Sequence, residues 1–184
     1  METCISQVSK KYSLTPHRVR SIIRKMESEP VRFFSGKPEL SEYEAFSNFS
    51  PHSVVIDGKT YATTEHYFQA QKFVNTDPEW AEWVRQSPTP KTSKSRGGNR
   101  THPIDPNWDE IKEDVMRVAL RAKFTQSDRL YETLMSTGDR HLIEASPYDS
   151  YWGEGKNRKG KNRLGVLLEE LRAELRVPKK KKHL

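Results

Sequence analysis

The sequence predicts a single α+β domain, helix-rich with a few short strands. Three observations predict it. Five segments in the body of the chain repeat apolar residues at helical spacing. Only a handful of short segments read as strands, bounded by turn residues. At 184 residues with one cysteine, the chain is long enough to bury one core without a disulfide or a metal.

The first segment, ISQVSKKYSLTPHRVRSIIRKM, reads as two short helices. The turn falls at Ser13-Leu14-Thr15, where Thr15 caps and Pro16 takes the first helical position. It suits either a helix-turn-helix fragment or an amphipathic extension packed on, or trailing from, the main domain. After Pro30 the pattern changes. VRFFS reads as a strand and SVVIDGKTY as a hairpin, because Asp57-Gly58 suits a two-residue turn. Helices are predicted over 64–74, 78–86, 107–123, 127–136 and 163–176, with a strand at HLIEA. Two long connections, SPTPKTSKSRGGNRTHPIDP and SPYDSYWGEGKNRKGKN, lack regular pattern; loops of that length carry function more often than not. The organisation expected is a basic helical extension over 1–30, the domain over 31–176 and a Lys-rich tail over 177–184.

The formal charge of +7 sits at the ends. Residues 1–30 and 176–184 carry +8 between them, leaving 31–175 near −1. A nearly neutral body argues against a broad nonspecific grip on nucleic acid, while the basic ends can add a weak DNA contact. No early apolar run suits a signal peptide or a membrane span, and the lone Cys4 cannot bridge. An intracellular location is expected: cytoplasmic, or nuclear in a eukaryotic host where VPKKKKHL serves as an import signal rather than a solvated tail.

In TTEHYFQAQKF, Glu65, Phe68, Gln69 and Lys72 share one helical stripe, and His66, Gln69, Ala70 and Phe73 the next. A stripe of acid, amide and amine is too costly for plain core, so it lines water or a site. Glu65 in the first turn favours the ionised form, hence a base or a charge-stabilising group. In SPYDSYWGEG, Asp149 stands among Tyr148, Tyr151 and Trp152, ahead of Gly153 and Gly155. Aromatics there can stack a flat ligand and raise the carboxylate's pKa, or simply pin a surface loop. Lys161, Asn162 and Arg163, at the start of the last helix, read as a phosphate cradle or as a solvated basic loop. The histidines are dispersed and no Ser-His or Cys-His pairing has a local signature, so neither a metal nor a cofactor is expected. Carboxylates, aromatics and a phosphate loop suit cleavage at an anomeric carbon.

Five stretches in order, FFSGKPELSEYEAFSNFSP, IDGKTYATTEHYFQAQKF, NWDEIKEDVMRVALRAKF, GDRHLIEASPYDSYWGEG and GKNRLGVLLEELR, resemble the NADAR family of YbiA-like N-glycosidases over about residues 31–176. The resemblance implies metal-free N-glycosidic hydrolysis. Its substrates are either ADP-ribose attached to guanine bases of nucleic acid or riboflavin-pathway intermediates carrying ribose 5-phosphate. A module that binds ADP-ribosylated nucleic acid without catalysis is the alternative of another class. Carried over by motif, the family's site residues are Glu65, Trp108, Asp149 and Trp152, with Asn48 and Phe49 of SNF, and Gly160, Lys161, Asn162 and Gly165. Gly97-Gly98-Asn99-Arg100 departs from the family's pattern, which has Gly-Arg before Asn-Arg. On this reading Glu65 and Asp149 are catalytic, and Lys72 is an alternative imine-forming amine. The ligand is expected to meet Phe34, Asn48, Phe49, His66, Gln69, Trp108, Tyr148, Trp152, Gly153, Gly160, Lys161, Asn162, Arg163 and Gly165.

Overall fold

A computed structural model describes residues 7 and 11–177. Among the described residues there are seven α-helices and four short strands. They run α1 (Pro16–Ser28), β1 (Val31–Phe33), β2 (Val54–Ile56), β3 (Lys59–Tyr61), α2 (Thr64–Gln71), α3 (Pro78–Arg85), α4 (Pro90–Gly97), α5 (Trp108–Thr125), α6 (Asp128–Ser136), β4 (Leu142–Glu144) and α7 (Arg163–Arg176). A 3-10 segment, Pro38–Phe46, precedes β2. This is the helix-rich α+β architecture read from the sequence. Thr15 caps α1 through its hydroxyl, which accepts from Arg18 N–H at 3.3 Å. The segment expected to form a helix before it lies mostly outside the described residues, as does the Lys run of the tail.

Local chemistry sets the helix starts. The side chains of Thr63, Asp77, Thr89 and Ser127 accept N-terminal amides of α2, α3, α4 and α6, and proline occupies the first turn of α3 and α4. The β2–β3 hairpin turns on Asp57 (φ 51°) and Gly58 (φ 72°), the left-handed pair that a two-residue turn requires.

Sequence reading missed α4, taking 87–106 as an irregular connection. The physical reason is composition: PKTSKSRG has no apolar stripe, and it packs on α2 through small residues, with Ser93 and Gly97 buried. A Cβ on Gly97 would stand 2.0 Å from Gln69 Oε1, so only glycine allows this approach.

The core centres on α5. One cluster gathers Phe33, Phe46, Phe68, Met116, Leu120, Phe124 and Leu142 with the apolar face of α7; a second gathers Val54, Tyr61, Tyr67, Phe73, Val84 and Ala119. Each such large side chain contributes about 1.5–3 kcal/mol on burial. β1 and β4 pair in parallel, Phe33 opposite Glu144, joining segments far apart in sequence. That pairing brings the end of β4, the loop after it and α2 to one region.

Candidate functional site

α2 forms one wall. Glu65, His66 and Gln69 are all buried. Glu65 N–H donates to Asn48 O (3.1 Å), Thr64 Oγ1 donates to Asn48 Oδ1 (3.0 Å) and Asn48 Nδ2 donates to Met116 Sδ (3.4 Å), so Asn48 anchors the start of α2 to α5. Gln69 Nε2 donates to Glu65 Oε1 at 2.8 Å. Burial pushes the Glu65 carboxyl above the usual range. The Gln69 hydrogen bond, Lys94 and Lys72 pull against that shift, and Asp149 adds to it. Lys72 Nζ donates to Gly97 O (3.1 Å) and stands 5.9 and 5.8 Å from the ring centroids of Phe68 and Trp108. Burial lowers this amine to about 8, with Glu65 opposing and Arg100 and Lys94 reinforcing.

His66 belongs to the fold rather than to a ligand surface. Its Nε2 reaches Ser87 O at 3.1 Å, so that nitrogen carries the proton, and Nδ1 accepts from the Thr63 hydroxyl at 2.8 Å. Burial holds it below the ordinary histidine value, and neutral.

The loop 146–162 forms the facing wall. Asp149 Oδ1 accepts from Tyr151 N–H (2.9 Å) and Trp152 N–H (2.8 Å), a turn that locks both aromatics. Trp152 meets Phe68 edge-on (5.3 Å, 86°), and Phe68 meets Trp108 (5.0 Å, 60°), so three rings run from one wall to the other. Phe49 is half-buried with Lys94 Nζ 5.7 Å from its ring. Phe34 is half-buried beside Lys37, whose Nζ stands 5.8 Å from its ring, and Tyr148 is 89% exposed.

The expected phosphate cradle is used up by the loop itself. Arg163 grips Glu113 with two 2.7 Å bonds, holding that carboxyl down at about 2, and Tyr151 OH joins at 2.8 Å. Backbone amides of Lys161, Arg163 and Leu164 donate to Ser150, Tyr151 and Trp152 carbonyls at 2.7, 3.0 and 3.1 Å. Asn162, left-handed at φ 49°, accepts from Glu144 N–H (2.9 Å) and donates to Leu142 O (2.8 Å). A Cβ on Gly153, Gly160 or Gly165 would clash with the carbonyl oxygens of Glu144, Gly153 or Leu142 at 2.8, 2.3 or 1.9 Å. These glycines therefore seat loop, strand and helix against one another. Of the cradle's cations, Lys161 stays exposed, its Nζ 5.2 Å over Tyr151.

Sequence reasoning missed three charged groups. Glu144, at the end of β4, is only 6% exposed; burial raises it to about 8, with Asp149 adding, Lys94 and Lys123 opposing and Glu65 adding. Lys123 on α5 is 1% exposed and donates to Ser47 O (2.8 Å) and Ser50 Oγ (2.6 Å), holding the turn that carries Asn48 and Phe49. Burial lowers it to about 7, Glu144 opposing. Lys94 lies exposed on the missed helix α4. Two of these were readable: Glu144 falls two residues after the buried Leu142 on one strand face, and Lys123 falls seven after Met116 on a core stripe.

The result is an acid cluster, Glu65, Glu144 and Asp149, electrostatically coupled to Lys72 and Lys94 beside an aromatic row. It can stabilise a cation, donate a proton and hold a flat ring. Among the described residues no group of three or more His, Cys, Asp or Glu is arranged to hold a metal ion. A shallow hollow of about 510 Å³, lined by residues such as Val55, Arg117, Val118 and Arg121, shares none of these groups.

The chain matches the NADAR domain over residues 33–176. It is 44% identical over 164 residues to N-glycosidase YbiA of Shigella boydii serotype 4 (strain Sb227), covering 89% of this chain and 99% of that protein. Riboflavin biosynthesis protein PYRR, chloroplastic, of Zea mays is 38% identical over 165 residues, covering 75% of this chain and 26% of that protein. The NMR structure of the E. coli protein YbiA aligns with a TM-score of 0.74 at 42% identity, covering 85% of this chain and 90% of that one.

Proposed function

The chain belongs to the NADAR family, and from that premise we propose that it is a metal-independent N-glycosidase that releases ADP-ribose from guanine bases of nucleic acid. The observation that carries the reading is Glu65, held by Gln69 and coupled to Lys72, beside the ring row Phe68, Trp108 and Trp152. Breaking the bond from C1′ to the base nitrogen builds positive charge on the sugar, and on this reading Glu65, in its ionised form, stabilises that charge. The rings stack the leaving base. Relatives named N-glycosidase support the bond class. Lys72 offers a covalent course. Its amine, partly neutral near pH 8, attacks C1′ as the base departs, the sugar ring opens to an imine, and water restores the lysine. Borohydride reduction during turnover traps this adduct; a chain recovered without added mass rules the covalent course out.

Exposed Lys91, Lys94 and Arg100, on α4 and just after it, support an anionic substrate, as do the basic chain ends. A second reading, clearance of riboflavin-biosynthesis intermediates carrying ribose 5-phosphate, is favoured by the maize relative's name. The test is incubation, with EDTA present, on a guanine-ADP-ribosylated oligonucleotide beside such an intermediate, following released sugar by mass. Release from the oligonucleotide that weakens with salt, and on removal of residues 1–30 and 177–184, supports the first reading. Release from the metabolite alone supports the second. Binding without release from either would make the chain a reader of the modification.

A further inference from the structure

We infer that Glu144 is a catalytic residue of this site, the proton donor to the departing base, while Glu65 works ionised. The inference rests on the N-glycosidase reading and deepens it, since neither the family resemblance nor the sequence singled Glu144 out.

The geometry is that of a carboxyl placed on purpose. Glu144 ends a strand held in parallel register with β1, opposite Phe33. The Asn162 side chain braces that strand end at two points, accepting from Glu144 N–H at 2.9 Å and donating to Leu142 O at 2.8 Å. Glu154 N–H donates to Glu144 O at 2.9 Å, and Gly153 lies so close that a Cβ would stand 3.1 Å from Glu144 Cγ. The backbone is thus fixed from three directions, yet the carboxyl makes no hydrogen bond among the described residues although only 6% of the residue is exposed. Its oxygens are not sealed from solvent, so this nearly buried carboxyl keeps open hydrogen-bonding capacity within the acid cluster.

The surroundings of the two raised carboxyls differ in what opposes burial. Glu65 receives a hydrogen bond from the Gln69 amide, a donor that favours the ionised form, and feels both Lys94 and Lys72. Glu144 has no such donor, and its strongest charged neighbour is the acid Asp149. The charged groups coupled to Glu144 are Asp149 from the loop, Lys94 from α4, Lys123 from α5 and Glu65 from α2. Burial plus Asp149 leave it protonated up to about pH 8. Burial raises both carboxyls, but only at Glu65 do a hydrogen-bond donor and two lysines lead the opposition, and on that difference rests the assignment of the acid role to Glu144 and the anionic one to Glu65. Asp149, expected from sequence to stand against the leaving group, instead has Oδ1 engaged by two backbone amides.

The step balances. The bond from C1′ to nitrogen breaks and its electron pair goes to the base nitrogen, which takes the Glu144 proton. Water adds to C1′, directly or through the Lys72 adduct, and its proton restores Glu144.

The test compares wild type, Glu144→Gln and Glu144→Asp on two ADP-ribosides. One carries a neutral base that leaves only when protonated; the other carries a pyridinium that leaves without a proton. On the neutral-base substrate, Glu144→Gln is expected to lose about 10²–10⁴-fold in kcat/KM, together with the falling limb of the pH profile near 8, while keeping most of its pyridinium cleavage. Equal losses on both substrates with the limb intact would make Glu144 structural and overturn the inference, as would an unchanged rate. Should the Gln variant fail to fold, Glu144→Asp decides: slowed only on the neutral-base substrate, with the limb shifted, supports a donor. Wild type inert on both substrates would instead remove the glycosidase reading on which this rests.

Discussion

The wall made by α2 and the loop that leads into α7 are both crowded with polar side chains, and they use them in opposite ways. On α2, Glu65 and Gln69 are buried with one hydrogen bond between them, and Lys72 lies beside aromatic rings with its amine lowered to about 8. In the loop, Asn162, Arg163 and the glycines spend their hydrogen bonds and their lack of side chain on one another. Polarity whose bonding is unfinished is available for chemistry; polarity whose bonding is complete is scaffolding.

Glu65→Gln strikes the comparison hardest. It keeps the size of the side chain but removes the anion, so kcat should fall by roughly 10³-fold or more while the melting temperature holds. Retained turnover would move the reactive wall elsewhere. Next is Lys72→Met, expected to cost on the order of 10²–10³-fold and to abolish borohydride trapping if the amine is the nucleophile. The rising limb of the wild-type pH profile, set by the neutral amine near 8, should vanish with it.

Gly97→Ala tests whether α4 supports the reactive wall. Its Cβ would stand 2.0 Å from Gln69 Oε1, so the variant must displace the amide that holds Glu65, and activity should fall by more than about tenfold alongside a lower melting temperature. A fully active variant would detach Gln69 from the mechanism.

Arg163→Ala probes the scaffold side. Its ion pair with Glu113 is partly buried, so a loss on the order of 1–3 kcal/mol in stability is expected, with a much smaller change in rate. The Glu113 carboxyl is depressed to about 2 in the fold; its stabilisation is present above about 4.5 and is lost as pH falls toward 2. Wild type and variant melts should therefore converge at acid pH. Divergence there would separate the pair from stability.

The smallest effect sharpens the acid assignment. The raised value of Glu144 means that the folded chain keeps a proton the unfolded chain releases between about 4.5 and 8, so this group lowers stability as pH rises through that window. Glu144→Gln has no proton to lose. Its melting temperature relative to wild type should thus rise from pH 5 to pH 8, and a flat difference would count against a protonated Glu144.

Much of the fold was legible: the hairpin on Asp57-Gly58, the cap at Thr15 and the bounds of α7 follow from turn and helix chemistry within a few residues. The candidate site was legible in part. Glu65, Gln69 and Lys72 sit at helical spacing, so their shared stripe was visible, and structure buries Glu65 and Gln69 fully and Lys72 largely. α4 was not visible, because a helix that packs through Ser93 and Gly97 has no apolar period. Glu65 itself was read for its place in the first turn, where the helix dipole favours the anion. Burial turned out to be the larger influence on it, and Gln69 with two lysines opposes that burial.

The sequence alone determined the helix-rich α+β class, the order of the elements other than α4 and the shared stripe of Glu65, Gln69 and Lys72, because propensity, capping and periodicity are local properties. Only the tertiary structure decided which polar residues remain unsatisfied. Pairing of β1 with β4 set Glu144 into a low-dielectric place, and α7 turned Asn162 and Arg163 inward on the loop. Desolvation and the completion of hydrogen bonds depend on neighbours far away in the chain, and no window of sequence contains them.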